Sequence, residues 1–340
     1  MDIAMGLIIN DEHYPFEQWQ ALPESPAWIG LIRSALREWF EIGKITSTTS
    51  GSTGHPKTFT FNKEQIEKSA EQTAAFFHLT KGTKALLVLP ADKIGGKMMI
   101  YRALLGGWEL HCTPPSGLPE ISDVVDFAAL TPHQTLRLLN EMPEAMQKIK
   151  TLIIGGAPVT SALAQKIKNS GTTAFETYGM TETISHVALR RISPDAEHSF
   201  TALKFVDISI DERDCLRVET TYTDALQTND IVTLINDRQF IWKGRADFVI
   251  NSGGIKIHPE EIESILGNYI RGNYYVGCKS DAIFGQIAVL VIENAEKDVE
   301  LETNLRLAIQ TLPATNRPKE IIYVDHIATT NGKTIREIWS

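Results

Sequence analysis

Residues 152–158 read Leu-Ile-Ile-Gly-Gly-Ala-Pro, a short aliphatic strand that runs straight into a glycine pair. In parallel α/β sheets ligands sit at the carboxyl ends of strands, and glycines there let backbone approach a flat base. An ordinary strand-to-helix turn has the same look, so the flanking segments must decide. Upstream, Ala85–Leu89 is strand-like and closed by Pro90, and Gly96–Leu105 is helical and stopped by Gly106-Gly107. Val124–Leu130 is again strand-like, Pro132–Asn140 helical, Thr151–Ile154 a strand and Ser161–Asn169 a helix. Short apolar strands alternating with helices predict an α/β domain with a mostly parallel sheet.

Working outward, Lys63–His78 reads as a helix. Phe16–Phe40 reads as helices despite Pro23 and Pro26, through Trp19, Leu22, Trp28, Leu31, Ile32, Leu36 and Trp39. Past residue 200 the texture changes. Phe205–Ile210, Cys215–Thr220, Asp230–Ile235 and Gln239–Trp242 are short, with turn residues such as Asn236-Asp237 between them, and predict antiparallel hairpins. From Asp247 the order becomes strand, Gly-Gly turn, helix (Pro259–Leu266), strands, helix (Val299–Thr311) and strand (Glu320–Val324). The fold expected is α/β: a large N-terminal domain (1–246) with a short β-rich section, then a small α+β C-terminal domain (247–340).

Composition sets the limits. The 340 residues carry 33 Lys and Arg against 42 Asp and Glu, a net charge of −9, which gives no support to an electrostatic nucleic-acid binder. No apolar run approaches the roughly 20 residues of a membrane span, and the acidic N-terminus is not a signal peptide. Cys112, Cys215 and Cys278 are odd in number and lack metal-ligand spacing, which fits a reducing cytoplasm.

Five segments carry chemistry. In Ser47-Thr48-Thr49-Ser50-Gly51-Ser52-Thr53-Gly54-His55-Pro56-Lys57, small residues leave N–H groups free to curl around a polyphosphate and the lysine adds a point charge. It is not a Walker A loop, because Pro56 stands where the second glycine belongs; a Ser/Thr/Gly surface linker has the same composition. Gly155-Gly156-Ala157-Pro158 is the second. In Phe175–Thr183, Tyr178 could stack on a base, a threonine hydroxyl could bond a phosphate and Glu182 could hold Mg²⁺, although a lone glutamate is more often a solvated charge. The fourth, Trp242–Glu263, places charges and a glycine pair at the domain junction, which a plain hairpin and helix also explain. Asn331–Arg336 reads as a basic tail or as a bearer of Lys333.

In this order and over Thr48 to Arg336, the five resemble the acyl-adenylate-forming (ANL) superfamily of acyl-CoA synthetases, adenylation domains and luciferases. That resemblance implies an AMP-forming acid–thiol ligase with ATP, Mg²⁺ and CoA. It makes Thr49, Ser50, Gly51, Ser52, Thr53, Gly54 and Lys57 the loop for the β- and γ-phosphates. It gives Gly155, Gly156, Ala157, Pro158, Glu176, Thr177, Tyr178 and Gly179 to the adenine pocket, Thr181 to the α-phosphate and Glu182 to the metal. Asp230 and Arg245 would hold the ribose. Asp247 would be the hinge about which the C-terminal domain turns, withdrawing the catalytic Lys333 and bringing up Gly253, Gly254 and Lys256 as a CoA channel.

Within the superfamily the chain is most similar to the o-succinylbenzoate–CoA ligases of menaquinone biosynthesis. Lys93, Gly95, Ser185 and His186 would then border the acyl pocket, with two of Lys93, Lys97 and Arg102 pairing a second substrate carboxylate; a solvent-facing helix side is the other reading of Lys97 and Arg102. Three departures stand out. The phosphate loop comes much earlier than usual, read here as a natural minimal form rather than a fragment. Asn229 replaces a common glycine, and Lys93 an expected histidine. Two alternatives remain: an aryl- or amino-acid adenylating enzyme that loads a separate carrier protein, and a non-catalytic nucleotide-binding homologue. The oligomeric state is not legible.

Overall fold

The structure, a computed structural model, describes residues 5–48, 57–193, 198–270, 272–293, 299–330 and 333–339. A hairpin, β1 (Gly6–Ile9) and β2 (Glu12–Tyr14), opens the chain. Helix α1 (Ala27–Arg37) buries Ile29, Ile32, Ala35 and Leu36, a stripe at helical spacing, and passes into a π turn at Glu38–Ile42. Strands β3 (Lys44–Thr48) and β4 (Thr58–Asn62) form a separate two-stranded ribbon flanking residues 49–57.

Helix α2 (Lys63–Phe77) begins at a capping box in which Asn62 and Gln65 exchange side-chain and backbone bonds of 3.0 and 2.9 Å, contributing about 1 kcal/mol. Then come β5 (Lys84–Leu87), α3 (Ile94–Gly106), β6 (Glu109–Cys112) and β7 (Val125–Leu130). Next are α4 (Pro132–Glu141), α5 (Pro143–Met146), β8 (Ile149–Ile154) and α6 (Ser161–Lys168). The antiparallel section runs β9 (Thr173–Met180), β10 (Ser185–Ile192), β11 (Phe200–Ala202), β12 (Val206–Ile210), β13 (Cys215–Thr220), β14 (Leu226–Leu234) and β15 (Gln239–Arg245).

Thirteen described strands join in one sheet, ordered β12-β13-β14-β15-β11-β10-β9-β8-β7-β5-β6-β1-β2. From β9 through β8, β7, β5 and β6 to β1 every pairing is parallel; from β9 toward β12 every pairing is antiparallel. The expected α/β character and the hairpin-rich section are both present in this sheet. The N-terminal segment packs into the main core, where Phe16, Trp19, Leu22 and Leu36 meet Phe127, Tyr101 and Trp108.

A second sheet starts after Arg245. It contains β16 (Ile250–Ser252), β17 (Ile255–Ile257), β18 (Tyr274–Asp281), β19 (Gly285–Glu293), β20 (Glu320–Val324) and, after the small hairpin β21 (Thr329–Thr330) and β22 (Lys333–Thr334), strand β23 (Ile338–Trp339). Helices α7 (Pro259–Leu266) and α8 (Val299–Thr311) cover a core of its own around Ile262, Leu266, Leu290 and Leu305. One face of α7 touches the large sheet and its flanks. Glu261 pairs with Lys243 of β15 at 2.6 Å, Glu260 accepts from the Arg245 N–H at 3.3 Å, and Ser264 bonds Ser161 at 2.9 Å. Among the described residues no helix is long and apolar enough to cross a membrane.

Candidate functional site

The parallel half of the sheet ends its strands where β8 delivers Gly155–Pro158, and its neighbour β9 delivers Thr177, Tyr178 and Gly179 beside them. The β9–β10 hairpin carries Thr181 and Glu182 in a half-buried 3-10 turn at its tip. Across the sheet, Asp230 of β14 lies opposite Arg245 of β15. The Tyr178 hydroxyl donates to Asp230 Oδ2 at 2.7 Å, so the adenine and ribose candidates form one continuous surface. Burial and the Asp230 charge push the Tyr178 phenol well above its ordinary range, and it stays a donor.

Further side chains complete this surface. Trp242 Nε1 donates to the other oxygen of Asp230 at 3.3 Å, and the tyrosine ring is held edge-on by Phe240 at 5.2 Å between centroids. Arg245 continues the chain of contacts by donating to Asp247 at 2.9 Å, and Asn229 donates to the same carboxylate at 3.3 Å. The asparagine that replaces a common glycine therefore ties β14 to the expected hinge.

The side chain of Glu176 is engaged within the protein. It is 5% exposed, and its carboxylate is consumed by the Val159 N–H at 2.9 Å and by Arg190, whose Nε lies at 2.9 Å. Its side chain is a strut that fixes the Gly155–Pro158 turn against β9, so only its backbone is left for a base. On the segment expected to border the acyl pocket, a Cβ on Gly96 would collide with the Pro90 carbonyl oxygen, whereas one on Gly95 would meet only the tip of Leu89 at 3.3 Å.

The three basic residues near the expected acyl pocket have separated. Lys93 is exposed beside Asp92, with 3.3 Å between charges. Lys97 is 6% exposed, and its ammonium donates to Glu38 at 2.5 Å and to the Thr46 carbonyl at 2.7 Å. It is already neutralised, which removes it as a partner for a substrate carboxylate. It does not face solvent either.

Arg102 is different: 2% exposed, it donates from Nη2 to Ser185 Oγ at 2.9 Å, its Nε is buried without a partner, and no described carboxylate pairs with it. Burial pulls its pKa down to about 10, so it is still a cation at neutral pH. Ser185 thus stands beside a buried charge. His186 points inward, bonding Thr73 through Nε2 at 3.1 Å and Ser185 through Nδ1 at 3.4 Å. Burial and Arg102 hold it well below its ordinary pKa, and it is neutral. Between Glu182 and Ser185, the fully buried Ile184 sits at φ +66°, a costly conformation for a β-branched residue that fixes the exit of the hairpin turn.

Lys57 follows the loop and is exposed; Thr49, Ser50, Gly51, Ser52, Thr53 and Gly54 fall outside the described residues, as does the side chain of Lys333. The backbone of Lys333 pairs with Thr330 in the β21–β22 hairpin. Three residues later, Arg336 forks onto Glu263 of α7 and lies 4.8 Å over the Phe248 ring beside the expected hinge. That segment is anchored, not a loose basic tail. Gly253 and Gly254 take φ +58° and +84° in the turn between β16 and β17, a pair of values that favours glycine at both positions, and Lys256 is exposed on the following strand. Among the described residues no three ligating side chains converge on a metal site. Half-buried Glu182 alone fits an Mg²⁺ that takes its other ligands from phosphate and water.

Tyr178 at a strand end, the Asp230 carboxylate bonded to it and Glu182 at a hairpin tip lie together on one edge of an α/β fold. A profile described as AMP-binding enzyme matches residues 47–210. A solved structure from Dyadobacter fermentans, an acyl-CoA synthetase (AMP-forming)/AMP-acid ligase II-like protein, is 33% identical, with 93% of this chain and 94% of that one covered and a TM-score of 0.63. The chain belongs to the AMP-binding enzyme family of acyl-adenylate-forming proteins.

Among curated relatives it is similar to the 2-succinylbenzoate–CoA ligase of Listeria monocytogenes serotype 4b, at 26% identity over 89% of this chain and 71% of that protein. The Escherichia coli enzyme of the same name is 25% identical, over 74% of this chain and 59% of its own. The fold also matches the Bacillus subtilis o-succinylbenzoate CoA synthetase solved with its acyl-adenylate intermediate, at a TM-score of 0.72 and 21% identity, over 86% of this chain and 67% of that one.

Proposed function

We propose that the chain is an ATP-dependent, AMP-forming acid–CoA ligase of the cytoplasm whose acid is o-succinylbenzoate, a step of menaquinone (vitamin K2) biosynthesis. The observation that carries the reading is Arg102. A buried guanidinium without a carboxylate partner is costly, and a substrate with a second carboxylate supplies the missing charge in bidentate form. Ser185, already bonded to Arg102, is placed to share that anion. Similarity to ligases for such an acid supports the same choice.

In the first half-reaction a carboxylate oxygen attacks the α-phosphorus of ATP, the bond to the β-phosphate oxygen breaks and pyrophosphate leaves. In the second, the CoA sulfur attacks the acyl carbon and AMP departs with the electron pair on its phosphate oxygen. Both anions of the first step must be held together, so positioning and charge compensation dominate. Tyr178 and the Gly155–Pro158 turn would hold the base, Asp230 and Arg245 the ribose, and Thr181 the α-phosphate. The Thr49–Gly54 loop with Lys57 would take the outer phosphates. Lys333 would bring its ammonium to the reacting carboxylate, and Arg336 fixes the segment that carries it. Mg²⁺, held by Glu182, supplies charge neutralisation on the phosphates when bound. For the thiol step the unit beyond Asp247 would turn and present the Gly253-Gly254 hairpin with Lys256.

The test is ATP–pyrophosphate exchange across a panel of acids. Exchange with o-succinylbenzoate is expected to exceed that with benzoate or a long-chain fatty acid by at least about tenfold, the equivalent of one modest charged contact. Exchange with no acid overturns the ligase reading. Preference for a monocarboxylate or an amino acid overturns the substrate, and transfer only to a carrier-protein thiol overturns CoA.

A further inference from the structure

Helix α1 ends in a π turn whose first residue reaches two other elements of the fold, α3 and β3. The Gly43 N–H bonds the Glu38 carbonyl at 2.8 Å, closing the wide turn. Glu38 accepts from Lys97 of α3 through Oε2 at 2.5 Å, and from the Thr46 hydroxyl of β3 through Oε1 at 2.7 Å. Lys97 closes the ring by donating to the Thr46 carbonyl at 2.7 Å. Next to Glu38, Trp39 packs on Tyr101 of α3 at 5.5 Å between ring centroids, and the ammonium of Lys63, first residue of α2, lies 5.1 Å from its ring. One turn thus touches the helix that borders the expected acyl site, strand β3 of the ribbon that flanks the phosphate loop, and the first residue of the helix that follows β4.

The ribbon needs such a hold. It belongs to neither large sheet, and its apolar attachment rests on few residues, chiefly the cross-strand pair Ile45 and Phe61. Thr46 stands two residues before Thr48, the last described residue ahead of the loop. Buried ion pairs seldom add net stability over apolar groups of similar size; what they add is direction. Arg102 stands five residues after Lys97 on the same helix, so fixing the ribbon to Lys97 also fixes strand β3, which leads into the loop, relative to Arg102.

We propose that Glu38, Lys97 and Thr46 form a buried positioning clamp that sets the phosphate-loop ribbon against α3 for adenylate formation. The clamp rests on the ligase reading above. The first half-reaction needs attacking carboxylate and α-phosphorus in line, and a misplacement of about 1 Å costs on the order of 100-fold in rate. The second half-reaction involves neither outer phosphate, so it does not depend on the ribbon.

The experiment is the double variant Glu38→Leu/Lys97→Met in the full chain, which replaces the pair by apolar side chains. Its kcat for adenylate formation is expected to fall about 100-fold with little change in the KM of the acid, while conversion of supplied acyl-adenylate and CoA to thioester stays within about twofold. Amide hydrogen exchange across Lys44–Asn62 is expected to speed up. Adenylation at the wild-type rate with unchanged exchange overturns the clamp, and so does an equal loss in both half-reactions. Should the double variant not fold, Thr46→Val removes one bond at constant volume and is expected to show the same split with a smaller loss; wild-type kinetics there overturns the clamp as well. Failure of the wild-type chain to activate any acid sinks the ligase reading instead. Hydrogen exchange of the ribbon then decides, faster in the double variant if the clamp holds and unchanged if it does not.

Discussion

Two cations stand five residues apart on α3, both buried, and their surroundings are opposite. Lys97 has a carboxylate at 2.5 Å and a carbonyl at 2.7 Å, whereas Arg102 has one hydroxyl, an unpartnered Nε and no described carboxylate. A completed pair belongs to the protein's own architecture. Arg102, bonded to Ser185 and to no described carboxylate, lies where an acid is expected to bind. Two basic residues of one helix thus separate into scaffold and proposed receptor through partners distant in sequence.

That contrast can be broken by removing each charge in turn. Lys97→Met leaves Glu38 buried without its cation and is expected to lower unfolding free energy by about 3–5 kcal/mol, read by urea or thermal denaturation. Arg102→Met removes a charge that has no carboxylate, so its melting temperature is expected to stay at or above that of the wild type. If Arg102→Met destabilises as much as Lys97→Met, the two environments are equivalent and Arg102 is structural.

The function of Arg102 sharpens the contrast at a slightly smaller energy. Arg102→Met is expected to reduce kcat/KM of pyrophosphate exchange by about 100-fold, or ~3 kcal/mol, for an acid with a second carboxylate, and to leave a monocarboxylate almost untouched. An equal loss for both acids would place Arg102 near the reacting carboxylate or the nucleotide instead.

Much of this was legible because α/β sheets announce themselves locally. Val125–Leu130 and Ile149–Ile154 are short apolar runs bounded by turns, and the helices after them carry caps such as Thr131 with Gln134. The β3–β4 ribbon was hidden because Lys44–Thr48 has a single apolar residue, Ile45, beside a Ser/Thr/Gly run that reads as loop, which leaves the alternation of Thr58–Asn62 as an isolated strand signal without a partner. The site was legible to the extent that its residues sit within one segment, as Tyr178 and Glu182 do. The strut formed by Glu176 depends on Arg190 across a hairpin, and the fate of Lys97 depends on Glu38, 59 residues away. No local pattern encodes such partners. Trp242 could have been suspected, since it precedes Arg245 on a strand facing Asp230.

His186 gives the weakest effect and the finest resolution of the Arg102 environment. Its imidazole is buried next to a guanidinium, and both influences depress its pKa well below 6.5, burial first. The unfolded chain therefore takes up a proton near pH 6.5 that the folded chain refuses. The stability associated with neutral His186 is complete above that pH and drains away as pH falls toward the depressed value. The slope is at most about 1.4 kcal/mol per pH unit for one proton. In the His186→Gln variant this part of the pH dependence is expected to vanish from denaturation midpoints measured between pH 7 and 5. A bound second carboxylate would offset the charge of Arg102 and raise the His186 pKa, so saturating acid should flatten the wild-type slope as well. A slope that ignores both the substitution and the ligand would mean that Arg102 does not meet an anion beside His186.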